Sequence, residues 1–243
     1  MGTIEYILAY ITPYLAMATL LGGVAYQISR WRKKKPATVH LSLFPRPEGQ
    51  AARLWDALVD MFTLKGLFKV NKLLWAGGFI MHVGLLLLIL GHIRTVTDFY
   101  FLWDWLGWGS DETHLFSAVA GTIAAVLFTI PLFYLLGRRW SGSVKILSTP
   151  EDYFILFLLM GIAFTGSHMR FLRPDLDQEA MRQFMQGLYA FSWKPFPVND
   201  GPGSAGPAFL WHFALVQILM IYFPFSKLMH TIGGIFNKMI MRS

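Results

Sequence analysis

Five long apolar stretches constrain this chain more than any other feature of its sequence. Each is about 20 residues long, which is the length that an α-helix needs to cross the hydrocarbon core of a membrane. A water-soluble domain could not bury all five, since 55% of the 243 residues are hydrophobic and only 14% are charged. The sequence therefore predicts an all-α integral membrane protein. The predicted spans are 6–28, 73–96, 115–136, 153–171 and 209–230 of a single membrane domain, 1–243.

The basic residues predict how these spans cross the membrane. Cytoplasmic loops carry an excess of lysine and arginine. With the N-terminus outside, the cytoplasmic parts are the connection 29–72, the segment 137–152 and the tail from Ser226, and they hold 16 of the 21 basic residues. This arrangement predicts a C-terminus in the cytoplasm. The net charge of +7 then reflects the basic residues of the cytoplasmic segments, and no nucleic-acid partner is expected.

Cysteine is absent from the sequence, which limits the cofactors that the chain can hold. Iron–sulfur clusters bound by thiolates, disulfides and covalently attached c-type haem are excluded within this chain. Any metal must be held by histidine, methionine or oxygen ligands.

Four histidines lie on two of the predicted spans, His82 and His92 on the second and His212 and His230 on the fifth. An ionisable residue in a membrane span is costly and marks a functional site by default. Because the two spans run antiparallel, depth pairs His92 with His212 near the outer face and His82 with His230 near the inner face. At about 100° per residue, the 18 residues from His212 to His230 complete five whole turns and place both rings on one face of the fifth span.

Two such pairs predict two b-type haems between the second and fifth spans. Two imidazoles fill both axial positions of a haem iron, which favours electron transfer over ligand chemistry. Arg94 and Lys227 lie at the right depths to bind haem propionates, or serve as interface anchors. Nearby glycines, among them Gly84 and Gly91, would let a helix approach a porphyrin, although small residues also serve ordinary helix packing.

The two longest connections have helical patterns of their own. In 29–72, residues Leu54 to Lys65 include apolar side chains at helical spacing, which predicts an amphipathic helix on the inner membrane surface or a docking surface for a soluble subunit. In the outer loop 172–208, Asp175 to Leu188 predicts a surface helix, and the proline- and glycine-rich remainder predicts an irregular lid or a plain spacer.

The whole pattern resembles a known family. Five spans, His-x9-His on the second, His-x17-His on the fifth, an outside N-terminus and no cysteine resemble the gamma subunit of membrane-bound respiratory nitrate reductase. Its relatives include the cytochrome b subunits of membrane heterodisulfide reductase and of the Dsr complex linked to dissimilatory sulfite reductase. The connection 29–72 and the segment 224–230 are more similar to this second branch.

The resemblance implies an electron-transfer subunit of a prokaryotic respiratory complex in the cytoplasmic (inner) membrane. This subunit reacts with quinol or quinone and is not the terminal catalytic subunit. His92 and His212 would hold a distal haem near a site for menaquinone or ubiquinone. His82 and His230 would hold a proximal haem near a cytoplasmic iron–sulfur subunit of heterodisulfide-reductase type. Further membrane or periplasmic subunits are compatible with this role.

Polar residues at the depth of the distal haem are candidates for the quinone site. A polar group there could hydrogen-bond a quinone carbonyl or exchange its proton, or it could be an interfacial side chain that faces headgroups. Trp103, Trp105 and Trp108 are typical of an aromatic belt at the membrane interface, and His40 is expected to be solvated. The quinone-site candidates are His114, His168, Arg170 and Arg173.

Two alternatives compete with the haem hypothesis. A transporter or proton-conducting protein would use the buried histidines as a proton relay without haem, although the predicted spans contain no Asp or Glu to alternate with them and no inverted repeat. A non-haem membrane anchor would use the same histidines for packing.

Overall fold

The computed structural model describes residues 2–33, 49–141, 144–172, 178–197 and 206–234. Arg173, His40 and the middle of the predicted lid lie outside these residues. The described chain contains five helices long and apolar enough to cross a membrane, which confirms the prediction of an all-α, five-span protein. In chain order, these first to fifth spans are Thr3–Lys33, Lys72–Ile93, Ser110–Trp140, Pro150–Leu172 and Gly206–Phe225.

Short helices occupy the connections between the spans. Gln50–Thr63 and Lys65–Val70 follow the first span and are separated by Leu64, whose φ of 49° is left-handed. The predicted helix of the first connection is therefore present, and its Trp55 and Phe62 side chains are exposed. The predicted surface helix is also present, at Gln178–Tyr189. Two further helices, Tyr100–Leu106 and Val144–Leu147, were not predicted.

The fifth span ends earlier than the sequence periodicity predicts. Its α-helix stops at Tyr222, and two 3₁₀ turns follow, Phe223–Phe225 and Lys227–Met229. Pro224 has no N–H to continue the helical hydrogen bonds, which explains the break. The calculation of five whole turns between His212 and His230 requires one unbroken α-helix, so it does not apply.

The contacts divide the chain into two compact units. The first comprises Met1–Ile11 and Ile80–Val216, and the second comprises Thr12–Phe79 and Gln217–Ser243. The first, second and fifth spans each contribute residues to both units. The expectation of one domain over 1–243 stays a prediction.

The core of the first unit lies between the third and fourth spans. Phe128, Leu132 and Leu136 are buried at four-residue spacing on the third span, so they form one stripe on that helix. Leu156, Met160 and Ala163 form the matching stripe on the fourth span. Met81, Leu85 and Leu88 of the second span pack against this core. The third and fourth spans, which carry no predicted haem ligand, therefore support the second span, which carries two.

Gly84 brings the second span against the backbone of the third. A Cβ atom at Gly84 would lie 2.6 Å from the nitrogen of Phe128 and 2.7 Å from the carbonyl carbon of Leu127. Backbones approach this closely in membranes only at small residues. Gly84 thus serves helix packing, one of the two roles considered for it, whereas a Cβ on Gly91 would meet no atom within 4 Å.

An aromatic cluster joins the surface helix Gln178–Tyr189 to the fifth span within the first unit. Phe184 is 1% exposed, and its ring meets those of Phe209 and Phe213 edge-on at 6.1 and 6.0 Å between centroids. Tyr10 also packs edge-on against Phe184 at 5.6 Å and donates a hydrogen bond to the carbonyl oxygen of Lys194 (3.0 Å). The segment after the fourth span is therefore anchored to the first turns of the fifth span and to Tyr10.

A buried carboxylate organises the turn after the second span. The Asp98 side chain is 6% exposed and forms ion pairs with Arg94 (2.9 Å) and with Arg182 of the surface helix (3.2 Å). The indole N–H of Trp103 donates to the same carboxylate at 2.7 Å. Burial alone would raise the pKa of Asp98, but the hydrogen bonds from Arg94 and Trp103 outweigh it and lower the pKa to about 2.

The second unit joins the first and fifth spans through side chains. The Thr12 hydroxyl donates to the side-chain oxygen of Gln217, and the Gln27 amide donates to the carbonyl oxygen of Pro224 at 2.9 Å. The indole of Trp75 donates to the carbonyl oxygen of Thr63 (2.7 Å), which fastens the helix Gln50–Thr63 to the start of the second span. Polar side chains thus hold together helices whose surfaces are mostly apolar.

We expect Gly84→Ala to destabilise the protein, because the added methyl group would overlap the backbone of the third span. Overpacking of this kind costs about 1–3 kcal/mol. Thermal unfolding in detergent, followed by intrinsic fluorescence, measures the effect. Gly137→Ala on the third span is the matched control, since its Cβ would meet no atom within 4 Å and its stability should be unchanged or raised. Equal stability of the two variants would contradict the close approach.

We expect Asp98→Asn to lower stability by about 2 kcal/mol at neutral pH, because Arg94 and Arg182 lose their shared counter-charge. The low pKa of Asp98 stabilises the folded state above about pH 4, and this contribution disappears as the pH falls through about 2. The difference in melting temperature from the wild type should therefore be constant from pH 8 to about 5 and shrink below about 4. Asp104→Asn, at an exposed neighbouring position, should show no such difference.

Candidate functional site

Two of the four predicted ligands meet inside the first unit. The imidazole rings of His92, at the end of the second span, and His212, on the fifth, have centroids 6.2 Å apart and planes inclined by 18°. These are two histidines that the sequence pairs by depth, and their role as haem ligands stays a prediction. His92 is exposed and His212 is half-buried.

Hydrogen bonds orient both rings. Nδ1 of His92 lies 2.6 Å from the carbonyl oxygen of Leu88, one helical turn earlier. Nδ1 of His212 lies 3.1 Å from the carbonyl oxygen of Ile162 on the fourth span. Because a carbonyl oxygen only accepts, each Nδ1 carries the proton and donates it. The neutral ring then has its lone pair on Nε2, which is the form that binds a metal.

The fourth span provides the surroundings of His212. The Thr165 hydroxyl donates to the carbonyl oxygen of Gly161 at 2.8 Å. The Thr165 oxygen also lies 3.0 Å from Nδ1 of His212, so Nδ1 can donate to this oxygen as well as to the Ile162 carbonyl oxygen. A Cβ on Gly166 would lie 3.1 Å from Cε1 of His212, so only a glycine leaves the ring this much room. The sequence analysis missed these residues. Their signal was a run of small residues at helical spacing, Gly161, Thr165 and Gly166, on an otherwise apolar span.

The other two histidines are in different units. His82 is half-buried on the second span, in the first unit. His230 is exposed and directly follows the second 3₁₀ turn, in the second unit. Its Nδ1 lies 2.9 Å from the carbonyl oxygen of Lys227, so this ring also carries its proton on Nδ1. Three of the four predicted ligands thus share one hydrogen-bonding pattern.

Arg94 and Arg170 converge on Ser117 of the third span. Arg94 donates to the Ser117 hydroxyl as well as to Asp98, and Nη2 of Arg170 donates to the Ser117 carbonyl oxygen at 2.6 Å. Arg94 follows His92 by two residues, and Arg170 follows Gly166 by one helical turn. Arg94 is therefore close in sequence to His92, Arg170 is close to Gly166 beside the His212 ring, and both guanidinium groups are held by protein partners.

The remaining predicted residues lie at the ends of the spans. His114 is exposed in the second turn of the third span, and His168 is exposed near the end of the fourth. Lys227 is exposed in the second 3₁₀ turn. Trp103 differs from the prediction of an aromatic belt, because it is 7% exposed and bonded to Asp98, whereas Trp105 is 80% exposed.

The distance between the two rings allows both of them to bind one metal ion. Metal–nitrogen bonds of about 2 Å place the two nitrogens about 4 Å apart and the ring centres about 6 Å apart. The observed separation is 6.2 Å. Among the described residues, no group of three or more His, Cys, Asp and Glu side chains could hold a metal ion. Two imidazoles that keep a lone pair on Nε2 are a donor set that a haem iron accepts.

Comparison with known proteins identifies the family of this chain. The family model of the nitrate reductase gamma subunit matches residues 58–238. The chain is 28% identical to the Hdr-like menaquinol oxidoreductase cytochrome b-like subunit of Archaeoglobus fulgidus, over 95% of this chain and 77% of that protein. It is 25% identical to the subunit of the same name from Archaeoglobus profundus, over 94% and 76%. These matches confirm the resemblance drawn from the sequence, including its heterodisulfide-reductase branch. This multi-pass membrane protein belongs to the nitrate reductase gamma subunit family.

Proposed function

We propose that this chain is the dihaem b-type membrane subunit of a respiratory complex. It exchanges electrons between the membrane quinone pool and a cytoplasmic iron–sulfur partner, and it is not the terminal catalytic subunit. The observation that carries the proposal is the His92–His212 pair, with ring centroids 6.2 Å apart and Nδ1 of both rings bonded to backbone carbonyls.

In this proposal, His92 and His212 would hold one haem through their Nε2 atoms. A haem held there would supply one-electron redox chemistry. The carbonyl oxygens of Leu88 and Ile162 hold the two rings in the tautomer that presents Nε2. These bonds also increase the basicity of the ligands, as carbonyl partners do at other metal-bound histidines. Thr165 and Gly166 provide, respectively, a polar contact and space for the ring of His212.

His82 and His230 are proposed as the ligands of a second haem. The proposal rests on their motif positions, His-x9-His and His-x17-His, in a chain of this family. The bond from Nδ1 of His230 to Lys227 supports it, because it leaves His230 in the same tautomer as the other pair. Arg94 and Lys227 are the proposed propionate partners. Arg94 is already bonded to Asp98 and Ser117, which would hold its guanidinium group in place for a carboxylate.

The basic residues support an orientation with the N-terminus outside and the C-terminus in the cytoplasm of a prokaryotic cell. His92 and His212 are then nearer the outer face. The names of the two archaeal relatives include menaquinol oxidoreductase, which favours menaquinol over ubiquinol as the reactant. The same names favour a partner of heterodisulfide-reductase type at the cytoplasmic face. The helix Gln50–Thr63 offers exposed apolar side chains on the proposed cytoplasmic side.

The proposed quinone site lies at the outer ends of the third and fourth spans. Its candidate residues are His114, His168, Arg170 and Arg173. Arg170 has the best support, because both it and Arg94 donate to Ser117 and because it follows Gly166, which adjoins the His212 ring, by one helical turn. A guanidinium group there can donate a hydrogen bond to a quinone oxygen. An exposed histidine such as His114 or His168 can accept a proton from a quinol.

A proton relay of buried histidines remains the competing hypothesis from the sequence. Such a relay requires each ring to exchange protons at both nitrogens, whereas Nδ1 of His92 and of His212 is bonded to a carbonyl oxygen that cannot supply a proton. An absorption spectrum of the purified protein separates the two hypotheses. A reducible b-type haem signal supports the cytochrome, and its absence would overturn it.

We expect His92→Ala and His212→Ala each to remove roughly half of the haem, because an axial pair needs both ligands to hold its iron. The pyridine haemochrome assay, normalised to protein, measures the loss. His114→Ala is the control, since it removes a histidine from the same end of the membrane domain and should leave the haem content unchanged. Complete loss of haem from either variant, with folded protein, would contradict the depth pairing.

We expect Arg170→Gln to slow the reduction of the haems by a menaquinol analogue by about tenfold, because a charge-assisted hydrogen bond is lost. The haem content and the reduction by dithionite should not change. Stopped-flow spectroscopy of the purified complex measures both rates. Arg138→Gln, at the opposite end of the third span, is the matched control. A wild-type rate in Arg170→Gln would remove this residue from the proposed quinone site.

A further inference from the structure

The fifth span is interrupted immediately before His230, and the interruption has a specific hydrogen-bonding pattern. In an unbroken α-helix, the N–H of Leu228 would donate to the carbonyl oxygen of Pro224, four residues earlier. Here the N–H of Leu228 donates to the Ser226 hydroxyl oxygen at 3.1 Å. Ser226 itself has an extended backbone, with φ −109° and ψ 173°. The Ser226 side chain therefore accepts the hydrogen bond from Leu228 that the Pro224 carbonyl oxygen would accept in an unbroken helix.

The side chain of Gln27, on the first span, replaces the N–H of Leu228 as the donor to the Pro224 carbonyl oxygen. Its Nε2 donates to the Pro224 carbonyl oxygen at 2.9 Å, and its Oε1 accepts from Arg30 at 3.3 Å. Pro224 is fully buried, so water cannot satisfy this carbonyl group. A buried carbonyl without a donor is costly in a membrane domain. The broken form of the fifth span is therefore stabilised by a side chain from another helix.

A glycine on the first span, Gly23, makes room for Pro224 where the fifth span is broken. A Cβ on Gly23 would lie 2.6 Å from Cβ and 2.7 Å from Cγ of Pro224. Gly23 is one helical turn before Gln27, so the two residues face the same side of the first span. Only a glycine at this position lets the proline ring reach the helix, and Gln27 then meets its carbonyl group.

The break determines the backbone that carries His230. The N–H of Met229 donates to the carbonyl oxygen of Ser226 at 3.2 Å, and Nδ1 of His230 donates to that of Lys227 at 2.9 Å. These acceptors belong to residues whose positions depend on the extended conformation at Ser226. If the fifth span continued as an α-helix through Pro224, the ring of His230 would point in a different direction.

We propose that Gln27 is a positioning residue for His230, and that it acts by holding the Pro224 carbonyl group and so maintaining the break in the fifth span. This inference rests on the proposed function, in which His230 is an axial ligand of the second haem. Gln27 lies outside residues 58–238, which match the family model, and its span carries no histidine. Its role follows from the contacts of the first span with the fifth.

The test compares two variants that each remove one hydrogen bond between the first and fifth spans. Gln27→Met has a similar length and loses the amide donor to Pro224. Thr12→Val has the same shape as threonine and loses the bond to Gln217, which lies in the unbroken part of the fifth span. Both variants are made in the full chain and purified with any partner subunits. The electron paramagnetic resonance spectrum and the midpoint potential are measured for each haem, and the His92→Ala and His230→Ala spectra assign the signals.

We expect Gln27→Met to shift the spectrum and potential of the His82–His230 haem and to leave those of the His92–His212 haem unchanged. Thr12→Val should change neither. Gln27→Asn keeps the amide on a shorter side chain and should give a smaller shift, so it tests the proposal even where Gln27→Met fails to assemble. Wild-type signals in Gln27→Met and Gln27→Asn would overturn this inference alone, as would equal shifts in Thr12→Val. A wild-type protein without b-type haem would overturn the proposed function and the inference together.

Discussion

Inside a membrane, water cannot satisfy the hydrogen bonds of the backbone, and the structure of this chain depends on that constraint. Within an unbroken helix each carbonyl oxygen already accepts from an N–H four residues later. The histidine rings use carbonyl oxygens as additional partners: His92 takes that of Leu88, and His212 takes that of Ile162 on a neighbouring span. The same constraint explains Gln27, which satisfies the Pro224 carbonyl group where the fifth span is broken.

Small residues decide which helices can come close enough to make these contacts. Gly84 places the second span against the backbone of the third, and Gly166 leaves room for the ring of His212 beside the fourth. Gly23 does the same for Pro224 in the second unit. Each of these glycines lies where a side-chain atom would overlap a neighbour. The spans without a predicted haem ligand thus position those that carry the four histidines.

Charged groups outside the spans follow a different rule, because solvent is near and opposite charges can be paired. Asp98 shows this most clearly, since it binds two arginines and an indole N–H and remains ionised. The guanidinium group of Arg94, two residues after His92, is therefore held by protein partners rather than exposed to the lipid headgroups. For the proposed electron-transfer role, this network would keep the end of the second span, and with it His92, in one position. It also connects the second span to the surface helix Gln178–Tyr189, whose Phe184 packs against Phe213, the residue after His212.

The sequence by itself determined the five spans, the surface helices and the family, and it predicted the depth pairing of His92 with His212. These properties follow from the lengths of apolar runs, from helical periodicity and from motif spacing, which are local features of the chain. It did not determine the roles of Trp103, Thr165 or Gln27, or the end of the fifth α-helix at Tyr222. A tryptophan near a span end has the same sequence signature whether it faces lipid or a buried carboxylate, and Pro224 alone does not reveal which side chain will satisfy its carbonyl group. Only the tertiary structure decides these points, because each depends on which residue of a distant span lies within hydrogen-bond distance.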